Sequence, residues 1–158
     1  MKITALEEYG LRCLLQIARV WDEGISIREI SEKEGLSQEY VSKITSLLKK
    51  SKLIEAKRGV HGGYSLRKDP SSISLAEVSK ALGSSMFNSE FCLDHTGLAN
   101  VCVHNANCSV KSVWSVIYKY MSSVMNEVTL DQLLQDERGM KKQMEEIIQE
   151  QAKVIGMR

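Results

Sequence analysis

The sequence predicts a mainly α-helical chain that carries a small β-hairpin wing. Two short amphipathic helices joined by a Gly-containing turn are written in "ISIREISEKEGLSQEYVSKITSLLKKSKLI", and a glycine-rich hairpin pattern follows at once in "LIEAKRGVHGGYSLRK". A helix-turn-helix followed by such a hairpin is a winged helix. A third observation completes the class: "SVWSVIYKYMSSVMNEVTLDQLL" repeats apolar residues at helical spacing over a length that predicts one long helix.

The elements follow in order. In "LEEYGLRCLLQIARVW", residues 6–21, Leu14, Ile17, Ala18 and Trp21 share a helical face that Leu11 and Leu15 widen, and Gly24 stops it. Ser26 can cap a short helix carrying Ile27 and Ile30, which Gly35 breaks. Ser37 can cap a second helix running to Lys50, with Val41, Ile44, Leu47 and Leu48 turned inward. Residues 53–57 and 64–67 are strand-like, and Gly59, Gly62 and Gly63 are expected to give the turn its positive-φ freedom. Asp69, Pro70 and Ser71 end the wing, after which Ser74 and Glu77 stand in capping-box spacing for a helix that ends at Gly83. A cysteine-containing loop occupies about residues 84–109. From residue 112, Val113, Val116, Ile117, Tyr120, Met121, Val124, Met125 and Val128 form a stripe with no obvious partner in a small domain. Thr129 can cap one more short helix, and the charged tail carries Met140, Met144, Ile147 and Ile148 on one side.

At 158 residues and 43% hydrophobic content the chain can build a real core, and a single proline argues against long structureless linkers. The opening "MKITALEEYG" has charges where a leader would need an apolar run, and no segment approaches the roughly 18 apolar residues of a membrane span, so a cytoplasmic location and no membrane partner are expected. Glycine motifs for nucleotides and a nucleophile with its base are not recognisable, which argues against an enzyme.

A net charge of +1 makes no global case for nucleic acid, but its distribution does. Residues 43–68 hold eight basic side chains, Lys43, Lys49, Lys50, Lys52, Lys57, Arg58, Arg67 and Lys68, against the single acid Glu55. Such a cluster on a winged helix predicts binding to a double-stranded DNA operator, cations meeting phosphates and the first turn of the second helix meeting base edges. The expected contact set is Ser37, Gln38, Ser42, Lys43, Lys49, Arg58, His61, Gly62 and Tyr64. For any one lysine, a solvated helix end that complements the dipole is an equal explanation.

Cys92, Cys102 and Cys108 fall within seventeen residues as Cys-x9-Cys-x5-Cys. An odd number cannot close a disulfide framework, and thiolates hold zinc or iron-sulfur clusters, each needing a fourth ligand here. The spacing leaves both open. Cys13, set among apolar residues of the first helix, is expected to be a core thiol.

The whole pattern resembles the IscR/NsrR family of bacterial winged-helix transcription regulators over about residues 1–135, through the opening "MKITALEEYGLRCLLQIA", the helix-turn-helix, the "RGVHGGYSLRKDPSSISLAEV" wing, and three cysteines before a long helix ending in "VTLDQLL". The resemblance implies a homodimer in which the long helix crosses its mate, with Trp114, Tyr118 and Tyr120 as packing residues. It also implies that Cys92, Cys102 and Cys108 ligate a two-iron or four-iron iron-sulfur cluster that switches DNA affinity. Where one subgroup has a histidine three residues after the last cysteine, this chain has Lys111. Other members use an acidic residue near the N-terminus of the opposite subunit, and Glu8 stands at that place; Asp94, His95 and His104 are further candidate donors. A structural zinc, or a reversible disulfide between Cys102 and Cys108, is the alternative sensor. The expected division is a DNA-binding domain at 1–83, a cluster-binding loop at 84–111, a dimerisation helix at 112–135 and a charged amphipathic helix at 136–158.

Overall fold

The structure is a computed structural model, and it describes residues 3–21, 23–58, 62–83, 96–104 and 106–154. Helix α1 spans Ala5–Val20 and begins with a complete capping box: the Thr4 hydroxyl accepts from the Glu7 amide while the Glu7 carboxylate accepts from the Thr4 amide at 2.8 Å. Ser26 and Glu29 repeat the device on α2, Ile27–Glu34, which ends at Gly35 with φ +66°, the left-handed region that favours glycine. Ser37 caps α3, Gln38–Lys50, by accepting from the Tyr40 amide. The inward residues of these helices, including Leu14, Ile17, Ile30, Ile44 and Leu48, are fully buried in one core.

Strands β1, Ile54–Lys57, and β2, Gly63–Leu66, pair antiparallel with Ile54 opposite Leu66 and Lys57 opposite Gly63. Ile25 adds a one-residue third strand, exchanging both backbone hydrogen bonds with Tyr64 at 3.0 and 2.8 Å. This changes the expected role of Gly63. Its φ is not in the positive region; instead, a Cβ there would lie 2.3 Å from the Ile25 carbonyl oxygen, so glycine is required for backbone approach. Gly59 lies outside the described residues.

After a 3-10 turn at Pro70–Ser72, α4 spans Leu75–Ala81. Ser74 caps it, yet the box expected with Glu77 is only half made, because the Glu77 carboxylate accepts instead from Lys68 at 2.8 Å. Helix α5 spans Ser109–Glu127, starting three residues before the expected position because Cys108 caps it. Its C-terminal half is buried through Val124 and Met125, while Val110, Val113, Trp114, Val116 and Ile117 of the first half are exposed. Thr129 does not cap a helix: it sits in an isolated antiparallel bridge with Ser74, and a 3-10 turn follows at Gln132–Leu134. Helix α6, Glu137–Val154, packs on α5, where the Ser123 hydroxyl donates to the buried Gln151 side chain. No helix among the described residues is long and apolar enough to cross a membrane.

Candidate DNA interface and cysteine loop

The exposed face of α3 is ordered by helical spacing. Gln38, Ser42, Ser46 and Lys49 fall in one row, with Glu39, Lys43 and Lys50 beside them, and all are exposed. Ser46 belongs to this face by its position four residues after Ser42, although it is not in the expected contact set; its hydroxyl donates to the Ser42 carbonyl at 2.8 Å. Glu39 brings an acceptor to the same surface: its own backbone amide and the Ser37 hydroxyl hold its carboxyl below the usual range. A carboxylate so placed can accept from a cytosine amino group, as Gln38 and Lys43 can bond other base edges.

A network behind α3 fixes its orientation. The Arg12 guanidinium donates to the Glu34 carboxylate at 2.7 Å, Gln16 donates to the other Glu34 oxygen at 2.5 Å, and Arg12 also lies over the Tyr9 ring. Tyr9 in turn meets Tyr40 edge to face at 6.1 Å between centroids. Glu34 hydrogen bonding and charge raise the Arg12 pKa, with Glu8 and Tyr9 adding smaller effects. The Tyr40 ring is thereby committed to packing.

The basic window divides. Arg67 faces Glu55 at 3.7 Å and Lys68 binds Glu77, whereas Lys43, Lys49, Lys50, Lys52 and Arg58 line exposed surface. Gly62 directly precedes β2, and Tyr64 within β2 is half-buried against the core. His61 lies outside the described residues.

In the cysteine loop, Cys102 and Cys108 are half-buried free thiols, and the Lys111 amide donates to the Cys108 sulfur at 3.3 Å. A helix N-terminus favours negative charge, so this sulfur sits where an anionic ligand is well placed. His104 is exposed; Cys92, Asp94 and His95 lie outside the described residues, among which no three metal donors converge. The two adjacent carboxylates on α1 differ: Glu7 is buried in its capping box, whereas Glu8 is exposed and no hydrogen bond or ion pair holds it among the described residues. Cys13 is fully buried in the core.

Comparison with known proteins gives this geometry its context. IscR from Klebsiella pneumoniae, an HTH-type transcriptional regulator, is 29% identical over 138 residues, 87% of this chain and 82% of that protein. The solved structure of T. potens IscR superposes with a TM-score of 0.66 at 27% identity, covering 85% of this chain and 86% of that one. The oxidized form of Staphylococcus aureus CymR does so with a TM-score of 0.65 at 26% identity, covering 86% and 98%. The family model described as Rrf2, iron-dependent transcriptional regulator, matches residues 3–136. With its winged helix-turn-helix, its exposed basic recognition face and this match, the chain belongs to the Rrf2 family and is a DNA-binding transcription regulator of the IscR type, not an enzyme.

Proposed function

We propose that this regulator is a homodimer whose operator affinity is switched by an iron-sulfur cluster held by Cys92, Cys102 and Cys108, with Glu8 of the partner subunit as fourth ligand. The carrying observation is the pair of free thiols Cys102 and Cys108 in one loop, with Cys108 receiving a backbone amide at the start of α5. Hydrogen bonds to cluster sulfurs and ligands, and partial solvent access, are the means by which a protein tunes such a group. The exposed carboxylate of Glu8 supplies a hard, labile ligand beside three soft ones. When bound, the cluster supplies a chemically alterable centre responsive to iron supply, redox state or nitric oxide. The chain's own part is to place α3 and the wing: α3 reads base edges, while Lys43, Lys49, Lys50 and Arg58 neutralise phosphates. A preference of about 1–3 kcal/mol between two dimer arrangements changes DNA affinity roughly 5- to 150-fold, enough for a switch.

The test is anaerobic purification followed by a visible spectrum with iron and sulfide analysis, on the wild type and on Glu8→Ala. A coloured wild type with matched iron and sulfide, and a bleached or labile variant, are expected. A wild type that stays colourless after reconstitution sinks the cluster. The outcome would then favour a second reading, a thiol switch between Cys102 and Cys108, a reading supported by the likeness to S. aureus CymR, which has been solved in an oxidized form.

A further inference from the structure

We infer that the short extended segment after α5 is a coupling joint, through which the position of the long helix is transmitted to the wing and to α3. The segment is built into the DNA-binding domain by backbone pairing. The Leu75 amide donates to the Val128 carbonyl at 2.8 Å and the Leu130 amide to the Ile73 carbonyl at 2.9 Å, which leaves Ser74 and Thr129 directly opposite. Ile73, Val128 and Leu130 are each no more than 1% exposed. Burying both strands of this pairing makes it costly to open, since each lost backbone partner would stand unsatisfied in the core.

Its two sides lead to different parts of the molecule. Ile73 lies seven residues beyond the end of β2 and follows the turn whose Asp69 side chain caps Ser71. Across the pairing, Val128 follows directly on α5, whose amide ladder it continues through Val124. On the N-terminal side α4 is wedged against α1: a Cβ on Gly10 would lie 2.5 Å from a Leu82 methyl. The joint therefore ties α5 to the wing exit and to α1, the helix that meets α3 through Tyr9 and Tyr40.

The opposite end of α5 is not tied in this way. Val110, Val113 and Trp114 are more than half exposed, and Cys108 caps that end. A helix of 19 residues is about 28 Å long, so a tilt of about 5° at the anchored end carries the other end about 2.5 Å. Packed joints of this kind pass on motion instead of absorbing it, because close-packed interiors resist deformation.

This inference rests on the reading of α5 as the helix that moves, and its test does not require a cluster. Hydrogen exchange would be followed by mass spectrometry on the cluster-free protein, with and without a mixed-sequence DNA duplex at low salt. DNA is expected to slow exchange in α3 and the wing and, across the joint, in the first half of α5, by about fivefold or more, the low end of typical coupling. In Leu130→Ala the response of α3 and the wing should persist while that of α5 is lost, and Leu130→Met, which keeps the volume, should restore it. If Leu130→Ala does not fold, Ser74→Cys with Thr129→Cys gives the opposite perturbation. The two Cα atoms form a non-hydrogen-bonded pair, a separation of roughly 4.5 Å that a disulfide can span, and oxidation should enlarge the α5 response in a manner reversed by dithiothreitol. An α5 response that is absent in the wild type, that survives Leu130→Ala, or that ignores the disulfide overturns the joint. Failure of the cluster proposal would appear separately, as a protein that cannot be reconstituted.

Discussion

At the scale of single residues, burial separates the structural thiol from the candidate sensor thiols. Cys13 is fully enclosed among core residues of α1, and burial pushes its thiol up to about 11, with the Glu34 charge adding to the effect and Arg12 opposing it. An unfolded cysteine titrates near about 8.5. The folded chain thus keeps a proton that the unfolded chain releases, so this contribution to stability is complete below about pH 8.5 and is lost as pH rises towards 11. Cys13→Ala should cost about 1–3 kcal/mol at neutral pH through the cavity it leaves, and should show a shallower fall in urea midpoint from about pH 8 to pH 10 than the wild type. Parallel curves for the two proteins would assign the alkaline loss to other groups. Among the described residues, Cys102 and Cys108, half-buried at the surface, are the thiols that reagents and metal can reach.

At the scale of elements, what could be read from the sequence was local and what could not was long-range. Ser26, Ser37 and Ser74 cap helices as expected, because a cap is made within three residues of chain and its chemistry is written there; Thr4 caps α1 by the same local rule, although no cap was expected for that helix. The partner of Glu77, by contrast, is Lys68 nine residues away, and Thr129 pairs with Ser74 fifty-five residues before it, so neither arrangement follows from spacing. Ser46 was legible but lay one turn past the first-turn rule. For the cysteine loop the limit is of another kind: the ligand set proposed for it draws on a second subunit, and such a set would have no signature in the spacing of one chain. The wing shows how a local pattern can be right for a different reason. Its glycine cluster does mark the hairpin, but Gly63 serves contact with Ile25 across the sheet. Gly63→Ala should therefore push the wing off Ile25 and destabilise the fold by about 1–3 kcal/mol, with weakened DNA binding and an unchanged helical circular dichroism signal. A Gly63→Ala protein with wild-type melting and DNA affinity would show that this approach is not needed.

At the scale of the whole molecule, the two halves of α5 have different fates. Val124 and Met125 are buried, in the half of α5 that leads to the joint, while Val110, Val113, Trp114 and Ile117, at three-, one- and three-residue intervals on the same face, are exposed. Contiguous apolar side chains at helical spacing on a charged protein mark a surface that is covered in use. The same face of a second α5 is the occupant that the proposed homodimer supplies, since a two-fold interface sets a patch against its own copy. Placing Trp114→Glu and Ile117→Glu on this face puts like charges opposite one another across the axis. Sedimentation should then report a monomer with an intact winged-helix core. Its affinity for a two-fold operator should fall by about 10²–10⁴, because the second recognition helix is no longer held at high effective concentration. Non-specific affinity per chain should change far less, since the phosphate-facing cations of α3 are untouched. A double variant that sediments as the wild-type dimer would place the two-fold axis on another face. In that case the exposed half of α5 would have to be covered by something other than a second copy of this chain.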